Sequence, residues 1–338
     1  MTTIKEVARA AGVSLATVSR ALAQPDLVAA ETRARVLEVV DRLGYAPNST
    51  AASLRTTRTR KIIVTVPDLS NPFFSRVIQG VEEAAGENGY TVLLGDTRNS
   101  EEREEQYAAM LWRREADGFI FLGHRLPNAL AKMVARDGHR APIVNGCEFS
   151  PSLGVSSAHI DNAAAAATVA DMLYDLGHQD IAVITGPLES PLSRDRLVGV
   201  QRAAEARGLV ARLQTAQGDF SLESGRRCTQ RLLGKPVRPT AIFCFSDEMA
   251  IGALSALRSA GLRCPADISV FGFDDIAIAR YIDPALTTIR QPMTQIGRQT
   301  VQLLLAIIDG SASEPVSITL PHRLVARQSV GPVPTLRP

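Results

Sequence analysis

Apolar residues near the start of the chain recur at helical intervals. Ile4, Val7, Ala8 and Ala11 follow Thr3-Ile-Lys-Glu6, which has the spacing of a capping box, and together they predict a first helix ending at about Ala11. Gly12 permits a sharp turn, and Ser14 is placed to cap a second helix over residues 15–22 with Val18 and Leu22 pointing inward. Gln24-Pro25 interrupts the pattern. Residues 32–43 then predict a third helix, with Val36, Val39, Val40 and Leu43 on one face and Gly44 closing it. Two short helices joined through a glycine turn, with a third to cover them, make a helix-turn-helix unit over residues 1–47.

Residues 46–60 lack a core face and mix Leu54 with small, polar and basic residues, the composition of a linker. A short helix there would be marginal in water without a partner to order it. From residue 61 the pattern changes to short apolar runs separated by helical stretches: residues 62–66, 91–94, 118–122, 143–145, 181–185, 241–245 and 268–271. Strand-helix alternation predicts parallel sheets. An internal repeat sharpens this, because Gly80-Val-Glu-Glu-Ala-Ala and Gly199-Val-Gln-Arg-Ala-Ala each follow an apolar strand at a constant offset of 119 residues. The expected fold is α/β: a helix-turn-helix unit followed by two doubly wound, parallel-sheet lobes of similar build. A ligand would sit between the lobes, at the strand C-terminal ends.

Composition narrows the picture further. At 338 residues, 45% hydrophobic and 21% charged, the chain is globular and long enough for two or three domains. No apolar run approaches the roughly 20 residues that span a bilayer, and Lys5, Glu6 and Arg9 interrupt any signal-peptide core, so no membrane association is expected. The four cysteines form no C-x-x-C pair, which predicts a reducing cytoplasm, no disulfide framework and no thiolate metal site. The net charge of +2 is unevenly spread: residues 1–61 carry ten basic and five acidic side chains, as expected of a segment that contacts phosphates. Phosphate-cradling, dinucleotide, zinc-protease and nucleophile-elbow motifs are absent, and the five histidines lack ligand spacing. No enzymatic activity, metal or cofactor is expected.

Taken in order, these residues resemble the LacI family of bacterial transcriptional regulators. The signatures are Thr3-Ile-Lys-Glu-Val-Ala with Val13-Ser-Leu-Ala-Thr-Val-Ser-Arg20, Gly44-Tyr-Ala-Pro-Asn48, Ala52-Ser-Leu54, Asn71-Pro-Phe-Phe-Ser75, His159-Ile-Asp-Asn162, Arg194-Asp-Arg-Leu197, Ser246-Asp-Glu-Met-Ala250 and Gly272-Phe-Asp274. Val66-Pro-Asp68, Gly218-Asp-Phe220 and Phe243-Cys-Phe-Ser-Asp247 are similar to the cytidine-responsive branch of the family. The resemblance implies a homodimer on a roughly palindromic double-stranded DNA operator, with a small-molecule effector held between the lobes.

It also implies roles. Leu15 and Ala16 lie at the exposed start of a recognition helix, Thr17 and Ser19 near phosphates, and Arg20 near a base edge, where a bidentate contact with guanine is worth about 1–3 kcal/mol of discrimination. Leu54 is the minor-groove wedge, and Thr3, Ser14, Asn48 and Arg55 complete the expected DNA-facing set. For the effector, Asn71, Phe73, Phe74, Phe220 and Phe273 supply the loop and stacking aromatics, Arg196 and Asp274 grip hydroxyls, and Asp161, Ser190, Ser246 and Gln291 assist. Helix capping is an equal alternative for Asp161. Ser190 stands where purine-responsive relatives carry arginine, which argues against a free purine base and for a nucleoside. The expected domains are 1–47 for DNA, 48–60 as hinge and linker, and 61–338 for effector and dimerisation. The last divides into lobes near 61–161 and 162–290, the chain crossing back after 290. A sugar effector, or a solute-binding protein without DNA function, is the alternative.

Overall fold

A computed structural model of the protein describes residues 2–45 and 58–333. The chain separates into two compact units, Met1–Thr59 and Arg60–Pro338. Asn48, Leu54 and Arg55, with most of the expected hinge, lie outside the described residues.

The first unit holds α1 (Ile4–Ala11), α2 (Leu15–Ala23) and α3 (Ala30–Leu43). The capping box forms as its spacing predicts: Glu6 N–H donates to Thr3 Oγ1, while Thr3 N–H donates to the Glu6 carboxylate at 2.7 Å. Gly12 ends α1 at φ 64°, and Ser14 Oγ accepts from Thr17 N–H to start α2. Val7, Ala8, Ala11, Val18, Ala21, Val36 and Val39 make the core. The third helix begins at Ala30, two residues before the predicted start, where no side-chain cap marks it in the sequence.

In the second unit β1 (Lys61–Val66), β2 (Thr91–Asp96), β3 (Gly118–Phe121), β4 (Ile143–Gly146), β5 (Ser156–Ile160) and β11 (Ser317–Leu320) form a parallel six-stranded sheet in the order β11-β5-β4-β3-β1-β2. The strands β6 (Ile181–Thr185), β7 (Leu213–Gln217), β8 (Ala241–Cys244) and β9 (Ser269–Phe271) form a parallel four-stranded sheet, β7-β6-β8-β9. A short antiparallel pair joins β10 (Thr288–Arg290) to β12 (Arg323–Val325). Around the first sheet lie α4 (Pro72–Glu87), α5 (Glu101–Trp112), α6 (Asn128–Asp137) and α11 (Met293–Ile308). Around the second lie α7 (Asn162–Asp175), α8 (Pro191–Ala206), α9 (Leu222–Leu233) and α10 (Asp247–Ser259). The chain thus crosses between lobes after β5, after β10 and, unforeseen in the sequence, again between β11 and β12. Beyond β12 the tail stays on the second lobe, where His178 ties Thr240 Oγ1 to the Gly331 carbonyl, each at 2.9 Å.

The repeated glycines have one job. A Cβ on Gly80 would lie 2.1 Å from the Thr294 carbonyl oxygen of α11, and one on Gly199 would lie 2.1 Å from that of Ala163 on α7. Each lobe therefore packs the helix after its first strand directly onto the backbone of a neighbouring helix. Only a residue without Cβ permits that approach.

Candidate effector site

The strands of both sheets point their C-terminal ends at a cavity of about 450 Å³ between the lobes, within the range of small-molecule sites. Loops after β1, β2, β3 and β4 supply its first-lobe wall; loops after β6, β7, β8, β9 and β10 supply the other. Asn71 Oδ1 accepts from Phe73 N–H at 2.9 Å and starts α4, which leaves its amide Nδ2 for a ligand. Phe73 and Phe74 then stand edge to face, their centroids 5.2 Å apart. Opposite, Phe220 lies on the backbone of Gly186, where a Cβ would fall 2.0 Å from its Cζ. Cys147, Phe220 and Asp274, all cavity residues, adopt φ of 71°, 69° and 120°. Backbone strain of this kind, of order 1–3 kcal/mol per residue, gathers at functional sites.

The polar end of the cavity is built around Arg196 on α8. Its Nε donates to Asn162 Oδ1 at 2.9 Å and one Nη to the Phe245 carbonyl at 2.5 Å, while its plane stacks 3.6 Å from the centre of Phe273. Burial lowers the guanidinium to about 10, so it stays cationic at neutral pH. Asp274 accepts from Gln291 Nε2 at 2.7 Å; burial pushes this carboxyl up to about 7 against the pull of Arg196. Its neighbour Asp275 is pinned by Arg290 and Arg327 at 2.6 and 2.5 Å, which fixes the loop. A fixed donor beside a fixed acceptor is suited to vicinal hydroxyls.

Nine of the eleven expected effector residues line this cavity: Asn71, Phe73, Phe74, Ser190, Arg196, Phe220, Ser246, Asp274 and Gln291. Asp161 does not; its side chain caps α7 by accepting from Ala164 N–H at 2.9 Å. Phe273 does not either, being fully buried beneath Arg196, which it orients. Ser246 caps α10 and holds the Phe220 carbonyl at 3.3 Å. Glu148, Cys147, His124, Arg125 and Leu192 line the cavity unforeseen. Glu148 could have been found: it follows a buried strand at its C-terminal end, where α/β folds bind ligands. On the first unit Leu15 (43% exposed), Ala16 and Arg20 are exposed along the start and middle of α2, with Thr17 and Ser19 half-buried beside them.

Residues 3–48 match the family of bacterial regulatory proteins named for lacI, and residues 170–330 match a periplasmic binding protein-like domain. Over 98% of its length the chain is 40% identical to the HTH-type transcriptional repressor CytR of Escherichia coli K12, covering 97% of that protein. The chain belongs to the LacI family. This LacI-family chain is also 38% identical to the repressor PurR of Shigella sonnei, over 99% of its own length and 98% of PurR. Among solved structures it is similar to the Lac repressor dimer bound to operator and the anti-inducer ONPF, with a TM-score of 0.88, 30% identity, and 98% and 99% of the two chains covered. As a LacI-family member it is a DNA-binding transcriptional regulator modulated by a small molecule, not an enzyme. Among the described residues no helix is long and apolar enough to cross a membrane.

Proposed function

We propose that this LacI-family regulator is a homodimeric repressor of a roughly palindromic operator and that its effector is a nucleoside, cytidine or a close analogue. One observation carries the reading: a single cavity joins a hydroxyl-gripping end, Arg196 with Asp274 and Gln291, to the aromatic faces of Phe73, Phe74 and Phe220. A ribose meets the first and a base stacks on the second. The similarity to CytR supports the same choice. In this reading α2 enters the major groove, with Leu15 and Ala16 against base edges, Arg20 on guanine, and Thr3, Ser14, Thr17 and Ser19 at the backbone. Asn48, Leu54 and Arg55 serve the hinge. Closure of the lobes around the ligand shifts the balance between two dimer arrangements of different operator affinity.

Thermal unfolding of the purified protein against cytidine, uridine, adenosine, free bases, ribose and hexoses tests the effector. A ligand at 100 times its dissociation constant adds about 2.7 kcal/mol. Nucleosides should stabilise and ribose or free bases should not; stabilisation by a hexose or pentose alone makes the protein sugar-responsive, since the same arginine and aspartate suit pyranose hydroxyls. A chain cut to residues 61–338 should keep the ligand and lose the operator.

A further inference from the structure

Glu148 follows β4 in the first lobe and is 7% exposed, yet it forms part of the cavity wall. Its carboxyl reaches across to the second lobe, where Ser190 Oγ lies 3.1 and 2.9 Å from its two oxygens and donates to one of them. The Leu192 N–H, at the start of α8 just after Pro191, also favours its charged form. Arg196 is committed to Asn162 and Phe245, and among the described residues Glu148 has no ion pair within 4 Å. A carboxylate has about four acceptor sites, so these neighbours leave acceptor capacity towards the cavity. A buried, unpaired acid is costly to keep. Capping of α8 does not require a charge, because the side-chain carbonyl of a neutral glutamine in the same place could also accept from Ser190 and Leu192, though less strongly than a carboxylate. In its ionised form the group only accepts, so it asks for a ligand that donates.

We propose, resting on the nucleoside reading above, that Glu148 determines base specificity: it accepts a hydrogen bond from the exocyclic amino group of the base, so the cavity takes amino-bearing bases over their oxo counterparts. An oxo group in that position would set two acceptors face to face with neither satisfied, and such a buried mismatch costs about tenfold or more in affinity. Glutamine at 148 presents both a donor and an acceptor, so it removes the reason to prefer either ligand.

The test is calorimetric titration of the full chain with two matched pairs, cytidine against uridine and adenosine against inosine, on wild type and Glu148→Gln. Buffer at pH 8.5 keeps the carboxyl, which burial pushes up to about 7, in its ionised form. The wild type should prefer the amino member of a pair by at least tenfold. In Glu148→Gln the preference should fall below threefold, chiefly through tighter binding of the oxo member, a gain that a damaged fold would not produce. Equal binding of amino and oxo ligands by the wild type overturns the proposal, as does a preference that survives in Glu148→Gln. Equal loss of both ligands in the folded variant overturns it too, since Glu148 then only joins the lobes. Failure of all four nucleosides to bind the wild type refutes the nucleoside reading itself; in the other negative outcomes that reading stands.

Discussion

Replacing Glu148 by glutamine should stabilise the ligand-free protein, by an amount that grows with pH. Burial raises this carboxyl from its ordinary 4.5 to about 7, against the opposing effects of Ser190, Arg196, the Leu192 N–H and Arg194. An acid with a raised folded-state pKa holds more protons folded than unfolded. The native state therefore loses stability as pH climbs from about 4.5, and the loss is complete above about 7. Two and a half pK units correspond to about 3 kcal/mol, the ceiling for this one group. Glutamine does not titrate, so the variant escapes the loss. Asp274, the other cavity carboxyl raised to about 7, titrates in both proteins and cancels in the difference, and the Cys147 thiol, pushed well up by burial, stays neutral in both. The assay is urea unfolding from pH 4.5 to 8.5, followed by the fluorescence of Trp112, the only tryptophan, which sits at the end of α5 in the same unit as Glu148. With a slope of about 3 kcal/mol per molar urea, the midpoints should separate progressively, the gap widening by up to about 1 M across this range. A difference that stays constant with pH, or that shrinks as pH rises, would refute the reasoning.

Other outcomes follow from the same structure. Gly80→Ala and Gly199→Ala each drive a methyl into a helix carbonyl at 2.1 Å, and each should destabilise the second unit by about 3 kcal/mol in the same urea assay. Arg20→Ala should weaken specific operator binding by about 1–3 kcal/mol while leaving binding to random DNA nearly unchanged, as read by fluorescence anisotropy at fixed salt. The cavity carries Asp68, Glu148, Glu189, Asp219, Glu248 and Asp274 against Arg125 and Arg196. Cytidine 5′-monophosphate should accordingly bind at least tenfold more weakly than cytidine in calorimetry.

What could be read from the sequence was what local physics decides. Thr3, Glu6, Gly12 and Ser14 act within four residues of themselves, and the strands β1, β3, β4, β6, β8 and β9 are apolar because both faces are covered. The strands that went unseen lack a continuous apolar run. In β5 the buried Ser157 and His159 are satisfied by Ser317, some 160 residues on, and β7 and β11 are half-exposed edge strands. The cavity divides the same way. Aromatics and the Arg196–Asp274 pair stand out by type, whereas the place of Glu148 after β4 marks it as near a site but its contacts with Ser190 and Leu192 on the other lobe appear only in the fold. The family resemblance assigns Phe273 to the ligand, yet its ring is fully buried beneath Arg196 while Asp274 beside it lines the cavity.

The glycine contacts at residues 80 and 199 carry a mechanical consequence. The helix that Gly199 touches, α7, reaches the second lobe straight after the first lobe's strand β5; the helix that Gly80 touches, α11, returns to the first lobe after β10. Each lobe is thus completed by a helix delivered from the other, and a third crossing joins β11 to β12. Two bodies tethered by one strand of chain can slide, twist and separate. Tethered by three short crossings, near residues 161, 291 and 321, they lose nearly all of that freedom and keep one soft coordinate, a rotation about the line of the crossings. A ligand that touches Phe73 and Phe74 on the first lobe and Arg196 and Asp274 on the second acts on that single coordinate, so its binding energy goes into one angle rather than being spread over many small displacements.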